Sequence, residues 1–123
     1  MGVAKCFKDV VAWQKAYILV KDVYIITRNF PRSEEFGLSW QIRRASVSVA
    51  SNIVEGFSRK GLKESLSFYN IANASLEEVK FQLMLSYYFK YLSEIDFNTT
   101  YSKAEETSRV LRGWIQGHHK NNY

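Results

Sequence analysis

A row of regularly spaced polar residues constrains the fold more than any other feature of this sequence. Within the stretch QIRRASVSVASNIVEG, five polar side chains follow one another at intervals of three, four, four and three residues. On an α-helix of about 3.6 residues per turn, such intervals place side chains on one face. The row, called the polar stripe below, consists of Gln41, Arg44, Ser48, Asn52 and Glu55. The sequence therefore predicts a helix here.

Apolar residues cover most of the remaining surface of this helix, so the helix is predicted to be buried nearly all round. They are Ile42, Ala45, Val47, Val49, Ala50, Ile53 and Val54. A buried polar group without a hydrogen-bond partner costs about 1 to 3 kcal/mol. We therefore expect the polar stripe to meet polar groups on another helix.

The expected partner of the polar stripe is a second polar row further along the chain, formed by Ser75, Glu78 and Gln82. Arg44 is predicted to pair with Glu78, and Asn52 with Ser75 or a nearby backbone group, while the register between the rows stays open. We interpret the network as structural rather than catalytic. Its members are Gln41, Arg44, Ser48, Asn52, Glu55, Ser75 and Glu78.

Helical periodicity covers the rest of the chain as well. The 123 residues contain one proline and six glycines, and the sequence carries no strand signal and no internal repeat. Helices are predicted at about 9–29, 39–55, 62–92 and 97–116. Four helices joined by short links favour an all-α fold, an antiparallel up-down four-helix bundle forming a single domain over residues 1–123.

Residue types at the helix ends predict where each helix begins and ends. Asp9 and Ser39 are the expected N-caps of the first and second helices, because their side chains can accept hydrogen bonds from free backbone N–H groups. Gly56 and Gly117 are expected to end the second and fourth helices, since glycine favours the position after a helix. The core face of the first helix is assigned to Trp13, Ala16, Tyr17, Val20, Val23, Tyr24 and Thr27.

Apolar residues also occur on helix faces that do not point at the core. Three of them, spaced seven residues apart on a polar arc of the first helix, are typical of a seam for another helix. Three aromatic residues lie off the core face of the third helix. The six are predicted to form an interface between copies of the chain: Val11, Ile18, Ile25, Phe81, Tyr88 and Phe89. The alternative is that they are scattered exposed residues, which are common on protein surfaces.

The chain is basic, with seventeen Lys and Arg against twelve Asp and Glu and a formal charge of +5. This favours polyanionic partners such as nucleic acid, although many basic proteins have none. The densest basic cluster, Arg59, Lys60 and Lys63, falls between the second and third helices. Free N–H groups at the start of the third helix add positive potential there, so the cluster is predicted to contact phosphate.

Two further arginines, Arg28 and Arg32, follow the first helix. An up-down bundle places them at the opposite end, so they form a separate and weaker candidate for nucleic-acid binding. The alternative for the denser cluster is a solvated loop whose charge is balanced by Glu55 and Glu64.

An enzymatic reading finds little support in the sequence. Two pairs of adjacent glutamates, at 77–78 and 105–106, raise the question of a magnesium site. Adjacent side chains on a helix diverge by about 100°, so neither pair converges on one ion. Cys6 has no histidine partner in a recognisable signature, and His118 and His119 lie near the end of the chain. We expect no catalysis, no metal and no cofactor.

The sequence also lacks membrane and export signals. No run of 18 residues is free of charge, as a transmembrane helix would require. The first residues, MGVAKCFKDVV, lack the apolar core of a secretory signal, and one cysteine cannot form an internal disulfide. We expect a cytoplasmic protein without membrane contact.

Six segments carry a resemblance to a known bacterial family: VAWQKA at 11–16, FP at 30–31, FGL at 36–38, QIRRA, SVSVASNIVEG and IANASLEE at 71–78. Over about residues 7–116 the chain resembles the four-helix-bundle proteins encoded by intervening sequences within large-subunit ribosomal RNA genes. The most specific part is Q-x-x-R-A-x-x-S-x-x-x-N-x-x-E-G. The polar positions of the family fall on the network residues above. Gly61, where the family commonly has Ser or Thr, weakens the expected cap, and Val54 stands where Ala is favoured.

The resemblance implies a protomer that assembles into a ring, typically a pentamer. A related branch, the accessory variability determinants of diversity-generating retroelements, is similar in fold and works with a reverse transcriptase and nucleic acid. For the ribosomal branch the resemblance implies no agreed activity. Two classes of function are therefore expected: an oligomer that binds RNA or DNA through backbone phosphates, or an oligomeric scaffold for a protein partner.

Overall fold

Four α-helices make up most of the protein in the computed structural model, which describes the backbone of residues 3–121 and the side chains of residues 3–118. Their bounds are α1 Val11–Thr27, α2 Leu38–Ser58, α3 Leu62–Tyr88 and α4 Glu94–Asn121. Short 3₁₀ turns, Phe7–Asp9 and Arg32–Glu34, precede α1 and α2. No strand occurs within the described residues, so the predicted all-α class is confirmed.

The helices pack as an antiparallel up-down bundle, as predicted. α1 lies against α2 and α4, and α3 lies against the same two helices. Across residues 3–121, α1 does not contact α3 and α2 does not contact α4, so these pairs occupy diagonal corners. The connections at 28–37 and 89–93 lie at one end of the bundle, and the connection at 59–61 lies at the other.

The core consists of aliphatic side chains that recur at helical intervals on the facing sides of the four helices. The largest fully buried ones are Leu19, Val23, Ile42, Val49, Ile53, Leu76, Val79, Leu83 and Leu111. Full burial of one such side chain contributes about 1.5 to 3 kcal/mol. Burial of these periodically spaced apolar side chains is thus the main interaction that holds the helices together.

The most extensive interface joins α2 and α3, and a glycine allows the two helices to approach closely. The ring of Tyr69 on α3 lies directly against Gly56 on α2. A β-carbon at Gly56 would lie 2.7 Å from Cδ1 of Tyr69 and closer still to Cε1. Tyr69 is fully buried. The prediction that Gly56 ends the helix is therefore wrong, because α2 continues to Ser58 and uses this glycine as a packing surface.

The predicted caps of α1 and α2 are also wrong, because neighbouring groups take over their roles. Asp9 lies in the 3₁₀ turn before α1, where its carboxylate accepts hydrogen bonds from two backbone N–H groups earlier in the chain, at 2.9 and 3.2 Å. Ser39 is buried inside the first turn of α2. The free N–H of Leu38 instead donates to Oε1 of Glu34, at 2.9 Å.

The last two helices differ from their predicted ranges as well. α3 ends at Tyr88 and not at 92, because the chain turns where Lys90 adopts a left-handed φ of 63°. Near the start of α4, the N–H of Asp96 donates to the hydroxyl of Ser93 at 3.1 Å. Gly117 does not end α4, which continues to Asn121. A helical glycine costs only about 0.5 to 1 kcal/mol relative to alanine, which is too little to terminate a packed helix.

The predicted core face of α1 is rotated relative to the observed one. The buried residues of this helix are Ala12, Ala16, Leu19, Val23 and Thr27. Tyr17 and Tyr24, which the sequence assigned to the core, are 48% and 40% exposed. The α1 surface contacts only two other helices, so large rings at its edge pack on one another, as Tyr17 does on Trp13 with ring centroids 5.1 Å apart.

The substitution Gly56→Ala tests the close approach of α2 and α3. The new methyl group would overlap the buried ring of Tyr69, and overpacking of this kind costs about 1 to 3 kcal/mol. We expect a lower free energy of unfolding by urea, measured by circular dichroism. The matched control is Gly113→Ala, where a β-carbon meets no atom of the described residues within 4 Å and alanine should stabilise the helix by about 0.5 to 1 kcal/mol. Equal effects of both substitutions would contradict the packing model.

Candidate nucleic-acid interface

The predicted basic cluster lies where α2 ends and α3 begins. Arg59, Lys60 and Lys63 are all exposed. Arg59 forms an ion pair with Glu55, one helical turn earlier, and its guanidinium lies 4.6 Å from the centre of the Phe68 ring. These contacts hold Arg59 near one position, while Lys60 and Lys63 form no ion pair within the described residues. The cluster therefore keeps two unpaired positive charges beside a positioned third.

The start of α3 adds backbone donors to the cluster. Its N-cap is Gly61, which has no side chain to accept a hydrogen bond. The first N–H groups of α3 therefore lack the side-chain acceptor that a serine or threonine would supply, and they carry the positive end of the helix dipole. Glu64 in the first turn partly offsets this potential. The net arrangement favours an anion of small size, such as one phosphate group.

A cleft of about 580 Å³, called the end cleft below, opens beside the cluster. It runs between the last turn of α2, the first turns of α3 and the end of α4. Its walls include Phe57, Lys60, Tyr69, Gly113, Trp114 and Gly117, and Val3 and Ala4 near the start of the chain also line it. Sequence reasoning missed this cleft, because segments far apart in the sequence form its walls and meet only in the folded bundle.

Two polar groups in the wall of the end cleft lack hydrogen-bond partners. The hydroxyl of Tyr69 and the indole N–H of Trp114 are both buried and, among the described residues, neither finds a partner with acceptable distance and angle. Burial raises the pKa of Tyr69, and a hydrogen-bonding contact with the indole N–H of Trp114 lowers it in part, so the two groups partly satisfy each other despite their poor geometry. The rings of Tyr69 and Trp114 meet edge to face, with centroids 6.5 Å apart, and His118 packs on both.

The weaker predicted candidate lies at the other end of the bundle. Arg28 and Arg32 are exposed and line a cavity of about 240 Å³. The fold adds Arg43 of α2 to them, a residue that the sequence did not connect with this end. Its Nε donates to Oγ1 of Thr27 at 2.8 Å, which fixes the side chain across the α1–α2 junction. Glu35 lines the same cavity and offsets part of the charge.

The polar stripe meets α3 only at its middle. The hydroxyls of Ser48 and Ser75 share a hydrogen bond of 2.8 Å. Asn52 donates from Nδ2 to the backbone oxygen of Ser48 at 2.8 Å and to its hydroxyl at 3.1 Å. Ser75 thus pairs with Ser48, and Asn52 finds a backbone group on its own helix. The predicted contact of the stripe with the second polar row is therefore confirmed for Ser48 with Ser75, whereas Asn52 bonds within α2, as the predicted alternative of a nearby backbone group allowed.

The ends of the polar stripe are exposed, contrary to the prediction that α2 is buried nearly all round. Gln41, Arg44 and Glu55 face solvent, and so does Val47 at 39% exposure. α2 contacts only α1 and α3 among the helices, which leaves the remaining face uncovered in a single chain. The predicted pair of Arg44 with Glu78 is wrong within one chain, because Glu78 is exposed and Arg44 lies over the ring of Trp40, 5.4 Å from its centre.

The residues predicted to join copies of the chain lie on two outward faces. Val11, Ile18 and Ile25 are 51%, 42% and 53% exposed and form the α1 face. Phe81, Tyr88 and, just after the helix, Phe89 form the α3 face and are 58%, 75% and 51% exposed. Because α1 and α3 occupy diagonal corners, the two apolar faces point in different directions.

Three further sequence predictions concern metal binding, the cysteine and membrane contact. Within residues 3–118, no group of three or more His, Cys, Asp or Glu side chains could hold a metal ion. Cys6 is exposed and has no disulfide partner. Across the described helices, none combines the length and the apolar character that crossing a membrane requires.

The fold defines the class of protein: an all-α bundle with polar residues at the centre of its α2–α3 interface. The family model described as 23S rRNA-intervening sequence protein matches residues 8–113. The chain belongs to this family, and the resemblance drawn from its sequence motifs is confirmed.

A solved structure supports the fold independently. The chain is similar to a protein of unknown function from the S23 ribosomal protein family of Bacteroides thetaiotaomicron, with a TM-score of 0.76 and 21% sequence identity. The match covers 85% of this chain and 97% of that one. None of the curated proteins compared with the chain matches it.

A double-mutant cycle on Ser48→Ala and Ser75→Ala tests whether the polar stripe acts through its middle. Each single substitution breaks the hydrogen bond between the two hydroxyls, which should lower the free energy of unfolding by about 1 kcal/mol, and Ser48→Ala also removes an acceptor of Asn52. The double variant should lose less than the sum, since both hydroxyls are then absent. Chemical denaturation measures all four proteins. Strictly additive losses would contradict a direct bond between the two residues.

Proposed function

We propose that the protein is a non-catalytic homo-oligomer that forms a ring and binds RNA or DNA through backbone phosphates. The observation that carries this proposal is the exposed cluster Arg59, Lys60 and Lys63 beside the uncapped start of α3. Contacts between cationic side chains and phosphates supply most of the affinity in binding that does not depend on sequence. The proposal places the protein in the cytoplasm and assigns it no cofactor.

The two apolar faces support a ring rather than a two-fold dimer. A face that binds a copy of itself forms a closed dimer, whereas two different faces that bind each other form rings or filaments. The α1 face is aliphatic and the α3 face is aromatic, and they lie on diagonal helices. We infer that the α1 face of one protomer packs on the α3 face of the next.

Assembly would raise the charge available for nucleic acid. Five protomers, the number that the family resemblance implies, multiply the formal charge of +5 to about +25. A ring also repeats the basic cluster once per protomer, at equivalent positions around its axis. Weak single contacts at repeated sites then act together, because the second contact on one strand is intramolecular.

A scaffold for a protein partner is the second candidate function. Phe36 in the α1–α2 connection is 86% exposed, and Ile95 at the start of α4 is 78% exposed. Both belong to the end of the bundle opposite the basic cluster. Large exposed apolar side chains of this kind are common in protein interfaces. In this case the net charge of the protein would have no role in binding.

Two charged substitutions test the proposed ring. Ile18→Glu should disable the α1 face and Phe81→Glu the α3 face, so each variant should give about 14.4 kDa by light scattering, whereas the parent gives several times that mass. An equimolar mixture should form a dimer of twice the single-chain mass, because each variant retains the face that the other has lost. Ser102→Glu, on the exposed side of α4, serves as the control and should leave the ring intact.

The mixture distinguishes the proposed geometry from other assemblies. A monomeric parent would contradict the ring altogether. Variants that stay monomeric in the mixture would contradict the pairing of the α1 face with the α3 face. In either case the repeated basic cluster would lose its support.

The triple variant Arg59→Ala, Lys60→Ala, Lys63→Ala tests phosphate binding. It should keep the helicity and the oligomeric mass of the parent. It should bind single- and double-stranded nucleic acid more weakly than the parent, whatever the nucleotide sequence. The slope of log affinity against log salt should become shallower by about 0.9 for each duplex phosphate contact that is lost. Fluorescence anisotropy at several salt concentrations measures both quantities.

A charge-matched variant controls for net charge. Lys21→Ala, Arg28→Ala, Arg32→Ala also removes three exposed cations, but from outside the cluster. This variant should bind nucleic acid more tightly than the triple alanine variant of the basic cluster. If only the control loses affinity, the site lies at the opposite end of the bundle. If the parent itself binds no nucleic acid, the scaffold function is favoured.

A further inference from the structure

Two buried polar groups beside the end cleft make no well-formed hydrogen bond within the described residues. Indole N–H is a donor only, and tyrosine hydroxyl is both a donor and an acceptor. Leaving such groups buried without partners costs about 1 to 3 kcal/mol each. Trp114 and Tyr69 both line one cleft, and the two polar atoms are buried within its wall. The cleft therefore favours a molecule that brings a hydrogen-bond acceptor to this wall.

The size and lining of the end cleft restrict which ligands fit into it. A volume of about 580 Å³ falls within the range of about 300 to 1,000 Å³ that is usual for small-molecule sites. Aromatic side chains, Phe57, Tyr69 and Trp114, make up much of its wall, and Arg59 and Lys60 also line it. A matching ligand has a flat body, an acceptor on its edge and a negative charge attached to it.

Two glycines on α4 leave room for such a body. Gly113 and Gly117 both line the cleft and are one helical turn apart. Among the described residues, a β-carbon at either position meets no atom within 4 Å. Glycine destabilises a helix by about 0.5 to 1 kcal/mol relative to alanine, so the two residues cost stability without relieving any steric clash. Their effect is to widen the cleft.

We propose that the end cleft binds one unpaired nucleotide of a single-stranded nucleic acid, with the base against the aromatic wall and a phosphate at Arg59 and Lys60. Nucleobases supply a flat face and acceptor atoms on their edges, and bases of single strands stack on aromatic side chains. This inference rests on the proposed function and deepens it. Backbone binding alone treats single strands and duplexes alike, whereas the cleft selects a strand with unpaired bases.

Gly117→Leu tests the cleft without disturbing the basic cluster. Leucine is a good helix former, and its side chain grows into open space, so the variant should fold with parental helicity and mass. Affinity for a dye-labelled hexauridylate should fall by about 5- to 150-fold, the range for loss of one stacked base. Affinity for a 12-base-pair duplex should stay within twofold of the parent. Ser102→Leu, on the exposed side of α4, is the matched control and should change neither.

A second variant addresses the hydrogen bond itself. Trp114→Phe keeps an aromatic ring but removes the N–H donor, and should weaken hexauridylate binding by about 2- to 12-fold. A third measurement uses the variant Trp13→Phe, Trp40→Phe, in which Trp114 is the only tryptophan. Uridine monophosphate should change its fluorescence in a saturable way, and inorganic phosphate at the same concentration should not.

The outcomes separate this inference from the proposed function. If Gly117→Leu binds the hexauridylate like the parent while the triple alanine variant does not, the cleft is no base site but phosphate binding stands. If Gly117→Leu loses single strands and duplexes equally, the cleft does not select unpaired bases and the inference fails. If inorganic phosphate alone reproduces the fluorescence change, the site is an anion site without a base. If the parent binds no nucleic acid, both proposals fail together.

Discussion

The close contact between α2 and α3 is the constraint on which the rest of the structure depends. Gly56 admits the ring of Tyr69, and the hydroxyls of Ser48 and Ser75 meet across the same interface. Small residues let two helices approach, and the closer approach increases the number of atoms in van der Waals contact. The hydrogen bond between the two serines fixes the alignment of the helices, because the hydroxyls meet only in one register of α2 against α3. The interface is therefore both tight and specific, and it sets the positions of α1 and α4 around it.

The same contact shapes the end of the bundle where the candidate interface lies. Tyr69 fills the space above Gly56 and so brings a buried hydroxyl to the end of the bundle, next to Trp114 of α4. The chain leaves α2 shortly after Gly56 and enters α3 through Gly61, which lacks a capping side chain. The buried contact of Tyr69 with Gly56 and the exposed basic cluster thus lie within a few residues of each other in the sequence. A single substitution in this region can therefore affect both.

Much of the fold follows from the sequence because helix periodicity and burial are local patterns. The four helices and their order could be predicted from these patterns. Boundaries were less predictable, since a cap is decided by competition between neighbours. Glu34, not Ser39, accepts a hydrogen bond from the first N–H of α2. Gly117 does not end α4, because the packing of this helix outweighs the low helix propensity of glycine. The rotated face of α1 has a similar cause, because aromatic residues such as Tyr17 pack well on one another at an edge.

By itself the sequence determined the all-α class, the family, the polar stripe and the basic cluster, since each depends on residue types at short spacings. Only the tertiary structure decided which members of the stripe meet α3, because the register between two helices depends on side chains far apart in sequence. It also placed Arg43 beside Arg28 and Arg32 and assembled the end cleft from three helices. The physical reason is the same for each: a cavity or a pair across an interface exists only once separate segments are packed.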